Sequence, residues 1–174
     1  MKKLFTLALT LSAWIISASV VAQPNQALSR DIFKELIEIN TTNSTGNCTL
    51  AAEAMAARLR AAGIPEQDIF VGGPNPRKGN LVARLRGTGK RKPLLLLAHL
   101  DVVEALRGDW TTDPFKFEEI DGYYYARGSR DDKAMAAIFV ANMIRMKVEK
   151  FVPDRDIILA LTADEEGGDY NGVD

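Results

Sequence analysis

Residues 94–97 are four consecutive leucines, followed by Ala98 and then His99. Four leucines in a row predict a strand buried on both faces, the kind found in an α/β sheet covered by helices. The run Ile157-Ile158-Leu159-Ala160-Leu161 predicts a second buried strand. Ile69-Phe70-Val71 reads as a short strand stopped by Gly72-Gly73-Pro74, and Asn80 to Arg86 as one with Leu81, Ala83 and Leu85 on a common face. Asp121-Gly122, between Lys116–Ile120 and Tyr123–Ala126, is a strong hairpin signal, because Asp-Gly accepts the positive φ values of a two-residue turn. Three helices complete the pattern. Ser29 is expected to cap Arg30–Ile39, and Thr49 to cap Leu50–Ala62, which Gly63 ends. The third runs from Asp131 to Met146 with Met135, Ile138, Phe139, Met143 and Met146 at helical spacing, and its methionines read as core filler. The fold class expected is α/β, a sheet with helices on both faces, whose functional edge lies where the strand C-termini meet.

His99 stands at that edge. Period-2 geometry puts Asp101 on the same face, where its carboxylate can accept the ring's other N–H, as happens behind metal-bound histidines. A single His beside an Asp is also an ordinary polar pair at a strand end, so the metal reading needs support from elsewhere. Two acidic groups supply it. Arg127-Gly128-Ser129-Arg130-Asp131-Asp132-Lys133 follows the hairpin and opens a helix, and Asp164-Glu165-Glu166 ends the last strand. Either Asp131 or Asp132 could simply cap its helix, and the Asp-Glu-Glu run could be a solvated turn. Three clusters of ligand-type residues bordering one sheet change the balance, because carboxylates held close repel unless a cation neutralises them. Imidazole and carboxylate together suit zinc, and also manganese or cobalt.

Charge and cysteine content exclude other classes. With 22 Lys+Arg against 23 Asp+Glu and no long charge run, nothing supports nucleic-acid binding or a polybasic membrane patch. The lone Cys48 makes no internal disulfide, so the fold depends on its core. Residues 1–22 read as a signal peptide: Lys2 and Lys3 form the positive region, Leu4 to Ile16 the apolar one, and Val20-Val21-Ala22 the cleavage site. Cleavage after Ala22 is expected, giving an exported protein, periplasmic or secreted, with no stable membrane span.

The three blocks, in this order and spacing, resemble the catalytic domain of the M20 family of metallopeptidases and amidohydrolases, which includes carboxypeptidases, dipeptidases, aminoacylases and deacylases. His99-Leu100-Asp101-Val102-Val103 is similar to the family's His-x-Asp-Val-Val block. Arg127 to Lys133 is similar to its Gly-Arg-Gly-x-x-Asp-x-Lys block, and Thr162 to Glu166 to its acid-Glu-Glu block. Trp110 and Pro114-Phe115 also sit where the family carries a Trp and Pro-Phe. The resemblance implies a zinc-peptidase-like fold and two divalent metal ions, zinc foremost, with cobalt or manganese as alternatives. It implies that His99 binds one ion, oriented by Asp101, that Asp131 bridges both with a cis Asp131–Asp132 peptide, that Glu166 binds the second, and that Glu165 is the general base. The substrate implied is a peptide or N-acyl amino acid.

The chain departs from the pattern at Ala126 and Ala134, where the family has Gly, and it contains no second histidine. A further acid, the second histidine and a smaller dimerisation domain belong to later parts of the family's sequence. Residues 23–174 are therefore expected to be the N-terminal part of a truncated catalytic domain, with hydrolysis impaired or lost and a homodimer implied only for the full-length protein. A non-catalytic exported binding module, or an inactive fragment that keeps the fold, is the alternative.

Overall fold

The computed structural model describes residues 24–173. Residues 1–22, expected to form a signal peptide, lie outside them. In chain order the elements are α1 (Pro24–Glu38), α2 (Cys48–Ala61), β1 (Ile69–Gly72), β2 (Asn80–Leu85), β3 (Leu94–His99), β4 (Glu118–Ile120), β5 (Tyr123–Tyr125), α3 (Lys133–Val148) and β6 (Ile157–Thr162). Among the described residues no helix is long and apolar enough to cross a membrane.

All three helix starts differ from expectation, α3 beginning at Lys133, two residues after Asp131. Helix α1 begins at Pro24, a residue suited to the first turn because its missing N–H would have no partner there. Ser29 therefore lies inside the helix, its hydroxyl donating to the Asn25 carbonyl 2.9 Å away. Helix α2 is capped by Asn47, whose side chain accepts from Leu50 N–H at 3.2 Å, and not by Thr49. Thr49 bonds elsewhere, donating to the Pro76 carbonyl and accepting from Gly79 N–H. The C-terminal end of α2 is as expected. Gly63 adopts φ +90°, and the amides of Gly63 and Ile64 bond back to Arg60 and Leu59.

The main sheet has the order β1-β2-β6-β3. β2 is antiparallel to both β1 and β6, while β3 runs parallel to β6 in the register Leu94↔Ile157 to His99↔Thr162. One face carries Ile69, Leu81, Ala83, Leu85, Ala98, Ile157, Leu159 and Leu161, all buried in one core with Ile32, Leu36 and Ile37 of α1, Met55 and Leu59 of α2, and Val140, Met143 and Ile144 of α3.

Among the described residues all three helices cover this one face, in place of the two-sided cover that the leucine run suggested. Leu95 and Leu97, on the other face of β3, are 55% and 43% exposed, and Phe70 and Val82 on that face are exposed too. The leucine run signals apolar surface on both sides of the strand, but α1–α3 supply a covering layer for one. Helix α3 shows the same selectivity. Its buried stripe is Ala136, Ala137, Val140, Ala141, Met143 and Ile144, whereas Met135 and Ile138 are exposed. Of the expected core methionines there, Met143 is fully buried and Met146 partly so.

The β4–β5 hairpin turns at Asp121 and Gly122, both at positive φ. It docks on α1 through Phe33, Phe117 and Tyr124, whose ring centroids are 4.8–5.5 Å apart, with Arg30 over the Phe117 ring. This docking sets where the following segment, Arg127–Lys133, begins.

The one-sided core makes a test. Leu159→Ala, at a fully buried position on β6, should cost about 2–5 kcal/mol in denaturant unfolding, whereas Leu95→Ala should stay within about 0.5 kcal/mol. Equal losses would mean that both sheet faces are covered.

Candidate metal centre

Three segments converge beyond the C-terminal ends of β3 and β6. Parallel pairing brings His99, the last residue of β3, level with Thr162, so the turn after β6 emerges beside the imidazole. The Leu100 amide donates to the Thr162 carbonyl at 2.7 Å and prolongs the pairing by one step. The third segment arrives from the hairpin through Gly128, at φ +76°. A Cβ there would lie 2.7 Å from a Val102 methyl, so only glycine lets the loop close.

Lys133, the first residue of α3, fixes this third segment from below. Its side chain is completely buried, and its ammonium donates to the Leu36 and Ile39 carbonyls at the end of α1, each at 2.8 Å. Burial pushes that ammonium down to about 7. Asp132 occupies the N-cap position of α3 but makes no capping hydrogen bond through its side chain, and the Asp131–Asp132 peptide is cis.

His99 is buried, with Nε2 2.9 Å from Asp131 Oδ1 and 3.8 Å from Glu165 Oε2. Nδ1 lies 3.0 Å from the Asp101 carbonyl oxygen and 3.5 Å from its carboxylate. A carbonyl can only accept, so Nδ1 carries a proton and Nε2 is the nitrogen turned toward the acids. The expected contact from the Asp101 carboxylate is thus made by the same residue's backbone. The carboxylate is otherwise engaged: its Oδ2 accepts the Glu166 N–H at 2.8 Å, while its buried Oδ1 finds no hydrogen-bond partner among the described residues. Asp101 in this way ties the His99 strand end to the Glu165–Glu166 turn.

One ligand atom each from His99, Asp131 and Glu166 lies within 4.8 Å of the others. Two bonds of about 2.2 Å to a common ion span at most about 4.4 Å, so small side-chain adjustments close the set on a divalent cation. The donor types, one imidazole and two carboxylates, fit such an ion. Glu165 points its half-exposed carboxylate at the same imidazole without belonging to the closest trio.

The electrostatics are those of an acidic site awaiting positive charge. Burial, followed by the neighbouring Asp131 charge, raises the Glu166 pKa, and burial raises that of Asp132. For His99, burial opposes protonation, but the hydrogen bonds it donates to Asp101 and Asp131 outweigh it and push the imidazole up to about 9. Burial likewise opposes ionisation of Asp101, yet the His99 contact and the Glu166 and Glu165 amides hold its pKa below the usual value.

A cleft of about 260 Å³ lined by Asn43, Asp101, Val102, Glu104, Glu166 and Gly167 opens beside the trio. A roomier one of about 770 Å³, between α1, β5 and α3, holds none of the three ligand residues. Its apolar lining reflects helix packing, so the smaller cleft is the one where the chemistry lies. One part of this site was not anticipated. Asp164, the first acid of its run, is buried and turned away from the trio, paired with Lys78 from the turn before β2. No sequence pattern around Lys78 marks it.

Residues 95–174 match the model of peptidase family M20/M25/M40. The chain is 38% identical over 123 residues to a succinyl-diaminopimelate desuccinylase of Delftia acidovorans, covering 70% of this chain and 32% of that protein. It is 30% identical over 147 residues to aminoacylase-1 of Sus scrofa, covering 82% and 35%. The chain therefore spans about a third of the length of these relatives. Human carnosine dipeptidase 1 shares the fold with a TM-score of 0.67 at 20% identity, over 83% of this chain and 34% of that one. An M20 family metallo-carboxypeptidase of Sulfolobus solfataricus shares it with a TM-score of 0.67 at 17% identity, over 79% and 31%. With its three blocks in order and at one sheet edge, the chain belongs, through residues 95–174, to peptidase family M20/M25/M40.

Proposed function

We propose that this chain carries part of the active site of an exported, metal-dependent amidohydrolase acting on a peptide or an N-acyl amino acid. The observation that carries the reading is the convergence of His99 Nε2 with the Asp131 and Glu166 carboxylates at one strand edge. The substrate class is taken from relatives named as aminoacylase and dipeptidase. Export is proposed from the positive and apolar regions of residues 1–22.

His99, Asp131 and Glu166 would hold divalent metal, zinc foremost. When bound, such ions lower the pKa of a water molecule and polarise an amide carbonyl. The rest falls to the chain's own groups. Asp101 holds the His99 tautomer through its carbonyl and the Glu166 backbone through its carboxylate. Glu165, close to the trio but outside it, takes a proton from the attacking water and passes it to the departing amine.

Among the described residues His99, Asp131 and Glu166 form one trio, which supplies the three protein ligands that a single zinc ion ordinarily takes. We therefore propose that this trio binds one ion. A metal-binding module without catalysis is the second reading, because a single trio can hold an ion without turning over a substrate.

Metal loading must displace the Nε2 proton of His99. The imidazole's pKa is raised from its ordinary 6.5 to about 9 in the metal-free protein. Its contribution to stability is then complete below the unfolded value, near 6.5, and is lost as pH rises through about 9. Because metal competes with that proton, apparent zinc affinity should climb about tenfold per pH unit across this window. His99 is the only histidine, so one imidazole NMR signal follows the titration directly. A midpoint near 6.5 would contradict the geometry.

Calorimetric titration should give one zinc per chain. Asp101→Asn should weaken binding by about 10–100-fold, and Glu165→Gln should leave it nearly unchanged while removing about 10²–10⁴-fold of any hydrolysis. No zinc uptake, or full activity after Glu165→Gln, would overturn the enzyme reading. Undiminished zinc binding with no hydrolysis in the unmutated protein would favour the binding module. Mass spectrometry of the exported protein should find Gln23 at its N-terminus, and retention of residues 1–22 would contradict cleavage.

A further inference from the structure

We propose that Lys78 is a positioning residue for the Glu165–Glu166 pair: its ammonium, seated between Asn43 and Asp164, fixes the turn that aims both glutamates at His99. The inference rests on the reading of these acids as the metal-site residues.

Lys78 and Asp164 are 4% and 2% exposed. The Lys78 ammonium donates to Asn43 Oδ1 at 2.7 Å and pairs directly with the Asp164 carboxylate. Lys78 is itself firmly placed. Its amide bonds to the Asn75 carbonyl at 3.0 Å, and Gly73 packs so closely on its carbonyl that a Cβ would lie 2.3 Å away. Asp164 adopts φ +62°, the left-handed region, which is disfavoured for a residue with a side chain unless its surroundings enforce it. Gly168 closes over the carboxylate, and a Cβ there would lie 2.2 Å from Oδ2.

The remaining anchors bracket the glutamates. Ala163 N–H donates to Asn80 Oδ1 at 2.8 Å, Gly172 N–H to the Ala163 carbonyl at 2.9 Å, and Glu166 N–H to Asp101 Oδ2 at 2.8 Å. Glu165 therefore stands between two pinned neighbours, Asp164 held by Lys78 and Glu166 held by Asp101. Asp164 is not a member of the ligand trio. Its charge is spent on Lys78, so its role is to turn the backbone. Removing the lysine would leave a buried carboxylate without a counter-charge, and the turn would have to open to hydrate it.

A purely structural ion pair would predict general destabilisation instead, and Arg86–Asp68 provides the comparison. Asp68 is buried and bound by Arg86 through two hydrogen bonds of 2.6 and 2.9 Å, remote from the trio at the other end of β2. The test uses the full chain as Lys78→Met, Asp164→Asn and Arg86→Met, and reads NMR amide exchange alongside cobalt(II) titration followed by visible absorption. Asp164→Asn serves if Lys78→Met does not fold, because Asn tolerates the left-handed conformation while the charge pair is lost.

Lys78→Met and Asp164→Asn should each speed exchange of the Glu166 amide and weaken cobalt binding, both by about tenfold or more, and Arg86→Met should change neither. Glu166 exchange and cobalt affinity unchanged in the folded variants, or equal losses in Arg86→Met, would overturn the proposal. If the unmutated protein took up no cobalt, the metal-site reading would fall by itself, and the exchange data would still decide whether Lys78 holds the turn.

Discussion

Everything at the candidate site depends on the parallel pairing of β3 with β6. Parallel strands end at the same edge, so the register His99↔Thr162 delivers an imidazole and an Asp-Glu-Glu turn to one place, from positions more than sixty residues apart in sequence. A shift of one residue would send His99 to the opposite sheet face and separate it from the acids. The buried residues on the helix-covered face, Leu159 and Leu161 of β6 against Ala98 of β3, oppose such a slip. Core packing and site assembly are in this sense one interaction. The hydrophobic effect chooses the register, and the register places the ligands.

Once the ends are aligned, the cost is electrostatic. Asp101, Asp131, Asp132, Glu165 and Glu166 lie around one histidine, and burial, reinforced by the neighbouring negative charges, raises the pKa values of Glu166 and Asp132. The protein spends backbone hydrogen bonds and buried lysines to hold these groups. Asp101 receives the Glu166 amide, Lys133 fastens the start of α3 to the end of α1, and Lys78 engages Asp164. None of the three lysine or aspartate anchors belongs to the ligand trio. Burial opposes the His99 proton, but its hydrogen bonds to Asp101 and Asp131 hold it and push the imidazole up to about 9.

Much of this was legible from local chemistry. Apolar runs marked β3 and β6, Asp121-Gly122 marked the hairpin, and His99 with two acidic blocks stood out as ligand-type clusters, while the family resemblance singled out Asp131, Glu165 and Glu166 within them. What escaped depends on contacts between distant segments. The cap of α2 fell to Asn47 because Thr49 is drawn to Pro76 and Gly79, a choice made by tertiary structure. The leucine run reported two apolar faces, but not that α1–α3 all pack on the same one. Asp101 was expected to meet His99 through its carboxylate, and the pull of the Glu166 amide on that carboxylate could not be read from a two-residue spacing. Lys78 sits among polar turn residues, and its partner lies 86 positions away.

The central claim is that the His99 imidazole and the Asp131 and Glu166 carboxylates bind one ion together. X-ray absorption at the zinc edge of the protein loaded with one equivalent of zinc tests it most directly. The account predicts one imidazole nitrogen at about 2.0–2.1 Å with carboxylate oxygens completing the shell, and loss of the imidazole scattering in His99→Ala. A shell of oxygen atoms alone, unchanged by that substitution, would contradict it.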